Sequence, residues 1–208
     1  MPDDSFITLQ DAVTFEWKVR DSRFIGHAAP ICDPQASESF LQRIRKEYHD
    51  ATHHAFAWRL GTGRESACRF SDAGEPSGTA GKPIMDALDG RGLTDVVCVV
   101  TRYFGGTKLG TGGLIRAYGG CAAGTLDRGK AVVKYKTGLM RITFSYELTG
   151  AVMQVIRKFE TEILNTAYGS DTEMRLSIRL SRMEPFQRAL RDSTSGRARV
   201  LDGDPDHA

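Results

Sequence analysis

The chain reads as an α+β protein of two domains, and three observations carry that reading. Hydrophobic positions switch repeatedly between a period of two and a period near 3.6, the signatures of strands and amphipathic helices. A break at Thr137-Gly138 separates residues 1–137 from 138–208. After the break the pattern runs strand, helix, strand, strand, helix, strand, which is the split β-α-β order of ferredoxin-like domains. At 208 residues there is room for two small cores.

In the first domain, residues 11–20 and 22–29 alternate and break at Asp21-Ser22, which predicts a hairpin. Asp33-Pro34 opens a helix, with Asp as cap and Pro in the first turn. Phe40, Leu41, Ile44 and Tyr48 share its inner face. His53-His54 precedes a short strand, Ala55 to Leu60, and residues 61–81 read as loop. Pro83 begins a short helix with Ile84, Met85, Ala87 and Leu88 facing inward and Gly90 and Gly92 ending it. Asp95 to Thr101 is almost wholly apolar and reads as a buried central strand. A glycine-rich turn leads to another helix, whose apolar arc holds Leu114, Ile115, Tyr118, Cys121, Ala122, Thr125 and Leu126. Arg116, Gly120, Ala123 and Asp127 lie opposite, and Ala131 to Lys136 is a further strand.

In the second domain, Arg141 to Leu148 is a strand, and Val152, Val155, Ile156 and Phe159 form a helix face. Ile163 to Tyr168 and Glu173 to Leu180 are strands around the turn Gly169-Ser170-Asp171. Ser181 and Glu184 have the spacing of a capping box before Phe186, Ala189 and Leu190. Ala198 to Leu201 is the last strand, and the acidic residues 202–208 read as a frayed tail.

Composition narrows the function. The chain is 40% apolar and 26% charged with a net charge of +2, so there is no global basic field of the kind a dedicated DNA-binding protein carries. No apolar run is long enough to span a bilayer. Met1 to Gln10 lacks the apolar core of a secretion signal, and the cytoplasm is the expected compartment. The four cysteines form no C-x-x-C pair, which argues for reduced thiols rather than zinc or a redox dithiol. In the second domain ten basic residues face seven acidic ones over 138–201, a balance of +3. Arg175 and Arg179 share a strand face there that suits a phosphate backbone, solvated surface being the plainer alternative.

Chemistry concentrates in two glycine-rich strings. The run Arg102-Tyr103-Phe104-Gly105-Gly106-Thr107-Lys108-Leu109-Gly110-Thr111-Gly112-Gly113-Leu114-Ile115-Arg116 lies between strand and helix, and residues 103–124 hold eight of the 22 glycines. Glycine is costly in backbone entropy, so such density has a reason. Exposed N–H groups, a helix start and the cations Arg102, Lys108 and Arg116 make an anion site, with phosphate as the expected anion. A tight turn for close packing is the plainer alternative. Lys108 is followed by Leu109, which excludes a P-loop, and Ile115 occupies the third glycine position of a dinucleotide fingerprint. Tyr103 and Phe104 could stack on single-stranded bases, whereas Tyr118 falls on the core arc.

The second string is Phe70-Ser71-Asp72-Ala73-Gly74-Glu75-Pro76-Ser77-Gly78-Thr79-Ala80-Gly81-Lys82-Pro83-Ile84. Asp72 and Glu75 could hold Mg²⁺ beside a phosphate, or simply accept loop N–H bonds. Ser77, Thr79 and Lys82 are further candidate ligand contacts. Glu75 occupies the first glycine of a G-x-S-x-G elbow, which argues against a serine hydrolase. His53 is either a hydrogen-bonded structural histidine or, if it meets Asp72 or Glu75, an acid–base group. No metal ligand set is assigned, and no cofactor is expected beyond that Mg²⁺.

Together these strings, dense over residues 51–120 and including Thr52-His53-His54, resemble the Impact/YigZ family. The resemblance implies a first domain with the fold of domain 2 of ribosomal protein S5, followed by a ferredoxin-like second domain similar to one in elongation factor G. It implies action in translation control and stress response; the glycine-rich groove adds RNA as expected partner and the second domain a ribosome-associated factor or translation-control protein, while hydropathy and net charge argue against membrane and DNA-specific binding. Ala73 stands where the family commonly has an acid, which weakens the Mg²⁺ reading. The expected function is therefore a regulatory binder of RNA or phosphate. The alternatives are a Mg²⁺-dependent enzyme of phosphate chemistry and a pure protein-interaction module.

Overall fold

The computed structural model describes residues 4–63 and 66–201. Among these, residues 6–134 form one compact unit and residues 4–5 with 135–201 a second. The acidic tail at 202–208 lies outside the described residues.

The first unit is built on a five-stranded antiparallel sheet in the order β2 (Val13–Val19), β3 (Ser22–Pro30), β6 (Val96–Tyr103), β4 (His53–Leu60), β5 (Ala67–Ser71). The central strand β6 is buried on both faces, as its unbroken Val-Val-Cys-Val-Val run requires. Its even residues Val96, Cys98 and Val100 meet helices α2 (Gly81–Asp89) and α3 (Gly110–Arg128) through Ile84, Leu88, Tyr118 and Cys121. Its odd residues Val97 and Val99 join Phe56, Trp58 and, from α1 (Pro34–Glu47), Leu41 and Ile44 on the other face. Asp33 caps α1 by accepting from the Ala36 N–H at 2.6 Å. A separate two-stranded ribbon pairs β1 (Ser5–Leu9) with β7 (Ala131–Tyr135).

The α3 helix lies close on the sheet because small residues face it. A Cβ on Gly26 of β3 would fall 1.9 Å from the Thr125 hydroxyl, and one on Gly120 would fall 1.9 Å from the Trp17 ring. Gly120 therefore faces β2, not open solvent opposite the core arc. Ile115, placed on that arc by spacing, is 45% exposed, and Ala117 is buried in its stead.

The second unit is a four-stranded antiparallel sheet in the order β11 (Arg199–Leu201), β8 (Thr137–Phe144), β10 (Thr172–Arg179), β9 (Glu162–Tyr168). Two helices, α4 (Thr149–Lys158) and α5 (Met183–Thr194), cover one face. Ile142, Phe144, Leu176 and Ile178 pack there against Val152, Ile156, Phe186 and Leu190. Fourth, first, third, second is the strand order of a ferredoxin-like βαββαβ domain.

Several elements depart from the sequence pattern. β1 and β5 were not foreseen, since neither shows a clean alternation; β5 falls inside the stretch read as loop and has mostly exposed residues. β4 begins at His53, so both histidines belong to the strand. β8 starts at Thr137 and ends at Phe144, and Tyr146–Leu148 is a 3₁₀ turn rather than strand. The capping box at Ser181 and Glu184 does not form. Ser181 lies in a 3₁₀ turn whose N–H donates to Asp4 Oδ2 at 2.9 Å, and Glu184 pairs with Arg188.

His27 on β3 is 4% exposed, bonds Thr14 Oγ1 through Nδ1 at 3.1 Å, and among the described residues has no partner for Nε2. Burial pushes its pKa down from 6.5 to about 4. Between those values the unfolded chain binds a proton that the folded chain refuses, so stability falls as pH drops from 6.5 towards 4 and levels off below. This group contributes at most about 3 kcal/mol to that loss. Urea denaturation as a function of pH measures it, and His27→Gln is expected to flatten that part of the profile.

Candidate functional site

The two glycine-rich strings meet at one end of the first sheet. Strand register places His53 of β4 opposite Arg102 of β6, on the face covered by α2 and α3. Glu75 enters from the 72–80 loop. Arg102 Nη1 donates to Glu75 Oε1 at 2.6 Å and Tyr118 Oη donates to the same oxygen at 2.8 Å. Arg102 is 5% exposed and Glu75 9%. Phe24 lies beneath, its ring 5.5 Å from the Arg102 guanidinium and 5.2 Å edge-on from Tyr118. Burial, then the charge of Glu75 and the hydrogen bond to it, push the Tyr118 phenol far above its ordinary range, so it stays a donor.

This geometry corrects the reading of Arg102. It was grouped with Lys108 and Arg116 as a cation for an anionic ligand, but it is strand-borne and buried, and its charge is matched by Glu75. Tyr118 is core as its spacing predicts, yet its hydroxyl completes the ion pair, a role no periodicity could signal.

His53 is half-buried. Its Nδ1 lies 2.9 Å from the Ala73 carbonyl oxygen. A carbonyl can only accept, so Nδ1 carries a proton, and Nε2 of the neutral ring presents a lone pair. That Nε2 stands 3.8 Å from Glu75 Oε1. The contact that would make His53 more than structural is therefore approached, with Glu75 rather than Asp72.

Asp72 builds the loop. Its Oδ2 accepts from the Gly78 N–H at 2.9 Å, and its Oδ1 accepts from Ala80 and Gly81 at 2.9 and 2.8 Å. Burial raises its carboxyl, but the three donors outweigh burial and hold it below the usual carboxylate range. Asp72 and Glu75 thus have separate sets of partners, and among the described residues no group of three or more His, Cys, Asp or Glu gathers as a metal site. Thr79 is buried with its hydroxyl on the Pro76 carbonyl, and Lys82 pairs with Asp86 along α2, while Ser77 is exposed. Gly81 is architectural: a Cβ there would sit 2.7 Å from the Ser71 backbone.

The other string divides into three parts. Arg102 and Tyr103 end β6; residues 104–109 form the loop; Gly110, Thr111, Gly112, Gly113 and Arg116 lie in α3 itself. Gly105 packs on the Asp21 carbonyl, where a Cβ would stand at 1.8 Å, and Thr107 Oγ1 donates to Asp21 Oδ2 at 2.6 Å. Gly106 takes a φ of 93° with open space around it. Leu109 at the N-cap supplies no side-chain acceptor, so among the described residues no side-chain cap closes the start of α3. Lys108 and Arg116 are exposed, and among the described residues neither is in an ion pair. Arg116 lines a shallow cavity of about 300 Å³ with Trp17, Val19, Arg20, Leu109 and Gly113. Phe104 is 46% exposed and its ring is 5.4 Å from the Arg102 guanidinium. Tyr103 is held by its hydroxyl on Asp50 Oδ1 at 2.7 Å.

In the second unit Arg175 lies opposite Arg141 in strand register. Arg179 packs over the Tyr135 ring at 3.6 Å and faces Glu160 at 3.5 Å, so it is less available to a phosphate than its spacing suggested. No helix among the described residues is long and apolar enough to cross a membrane.

Comparison with known proteins matches this architecture. Residues 20–126 fit the model of the Impact N-terminal domain, and residues 142–197 fit a domain of unknown function, DUF1949. An IMPACT family member of Haemophilus influenzae is 35% identical over 92% of this chain and 94% of its own length. The family members YigZ of Escherichia coli and YvyE of Bacillus subtilis are 34% and 32% identical, over 95% and 96% of this chain and 98% and 92% of their own. The crystal structure of a hypothetical protein superposes with a TM-score of 0.71 at 30% identity, covering 98% of this chain and 99% of that one.

Removing one partner of the buried pair leaves an uncompensated charge. Glu75→Ala is expected to lower stability by about 3–5 kcal/mol. Glu75→Leu combined with Arg102→Met should recover most of that loss, because a buried ion pair is often replaceable by apolar side chains of similar volume. Urea denaturation of the two variants beside wild type makes the comparison.

Proposed function

The chain belongs to the Impact family, and from that premise we propose that it is a cytoplasmic, translation-associated regulatory protein that binds RNA through its first domain. The observation that carries the binding reading is the start of α3. Its uncapped N–H groups are flanked by Lys108 and Arg116, two exposed cations with no acidic partner among the described residues. Such an arrangement favours a phosphate. The neighbouring 72–80 loop is already ordered by Asp72, so a ligand need not organise it. Translation control, and a ribosome-associated factor or translation-control protein as further partner, follow from the family resemblance.

One observation favours a second reading. His53 Nε2 near Glu75 is the start of an acid–base pair, which suits an enzyme of phosphate chemistry. In that reading Mg²⁺ comes with the substrate phosphate, because the carboxylates of Asp72 and Glu75 already have protein partners.

Fluorescence anisotropy of a labelled single-stranded RNA, titrated at several salt concentrations with and without Mg²⁺, separates these readings. Binding should weaken steeply with salt. The Lys108→Ala/Arg116→Ala variant should bind more weakly, with a log–log salt slope shallower by about 1.4, at roughly 0.7 per lost phosphate contact. Salt-independent binding, or a variant identical to wild type, would sink the proposal. Mg²⁺-dependent turnover of a phosphoester that disappears in His53→Ala would favour the enzyme.

A further inference from the structure

The RNA-binding reading leaves the His53–Glu75 pair without a role, and the pair has a definite chemical preference. With Nδ1–H given to Ala73, the neutral imidazole offers Nε2 as an acceptor. Glu75 is an acceptor too, 3.8 Å away, and among the described residues the two side-chain donors it accepts from, Arg102 and Tyr118, both fall on Oε1. Two acceptors side by side call for a donor. A phosphate oxygen would be repelled there. A cationic donor is also disfavoured, because Arg102 has already neutralised Glu75. What remains is a neutral O–H or N–H group.

The surroundings narrow that group further. Phe104 follows Arg102 by two residues and presents an exposed ring 5.4 Å from the guanidinium that binds Glu75. Its N–H donates to Thr52 Oγ1 at 3.1 Å, and the Thr52 N–H donates to the Arg102 carbonyl at 2.9 Å. The glycine loop thus begins beside residue 52, next to His53. An aromatic platform, a pair of acceptors for a neutral donor and the cation Lys108 four residues beyond Phe104 together match a nucleotide: base on ring, sugar hydroxyl at the acceptors, phosphate at the loop.

We propose that His53 Nε2 and Glu75 receive the ribose 2′-hydroxyl of a bound RNA, so that the site takes ribonucleic and not deoxyribonucleic strands. The inference rests on the RNA-binding reading and adds the group by which RNA is told from DNA. His53 holds the hydroxyl directly. Ala73 is the positioning residue, because its carbonyl fixes which ring nitrogen is bare.

The test compares three labelled single strands on the full chain at low salt: an RNA, the DNA of the same sequence and the 2′-O-methyl RNA. The RNA should bind about 10-fold more tightly than either, one hydrogen bond in a half-buried site being worth about that factor. His53→Ala should bring the RNA down to the level of DNA and leave DNA unchanged, whereas Lys108→Ala should weaken both alike. If wild type binds RNA and DNA equally with a steep salt dependence, this inference is overturned and the phosphate-binding reading stands. If neither strand binds, both fall. The 2′-O-methyl strand needs no variant, so the result holds even if His53→Ala is destabilised. Tight binding of that strand would overturn the inference as well.

Discussion

The first domain is organised around one buried ion pair. Glu75 belongs to a loop, Arg102 to the end of the central strand and Tyr118 to the long helix, and a single carboxylate oxygen joins all three. Burying two charges is costly, and the cost is offset only when geometry and extra hydrogen bonds are good. The pair is therefore better understood as a device for position than as a source of stability. It brings the two glycine-rich strings to one place, where the Arg–carboxylate contact is charge-matched and buried. What is left facing outward, His53 on one side and Lys108 with Arg116 on the other, then has distinct chemistry: acceptors in one place, cations in the other.

Much of this fold is written in hydrophobic periodicity. The β6 run, the α1 cap at Asp33 and the alternation in β10 follow from short-range rules, and the second domain emerges as a ferredoxin-like unit without reference to any relative. Elements whose burial is set by distant partners were hidden. β1 takes its strand character from β7, at the other end of the first domain, and exposed β5 takes its own from pairing with β4. The 181–184 spacing promised a cap, but Asp4, far away in sequence, takes the Ser181 N–H first.

The two glycine-rich strings were legible in sequence, and the roles of their residues were not. Glycine density and flanking cations mark the two segments that the fold brings together. They do not separate cations that are spent from cations that are available. Arg102 and Lys108 look alike in sequence, yet one is buried against Glu75 and the other is exposed. Asp72 and Glu75 look like a carboxylate pair, yet one organises a loop and the other anchors a strand and a helix. Pairings across 27 and 43 residues decide these outcomes, and no local pattern encodes them.

The glycines of α3 carry a consequence for how the chain folds. Six of its 19 residues are glycine, each costing about 1 kcal/mol of helix propensity relative to alanine at interior positions. Such a segment cannot nucleate a helix on its own in water. Its order must come from the sheet it lies on, through the close approaches at Gly26, Gly120 and Gly124. The helix is therefore only as stable as its packing on the sheet, and a side chain larger than hydrogen at Gly26 or Gly120 would withdraw support from the whole of α3.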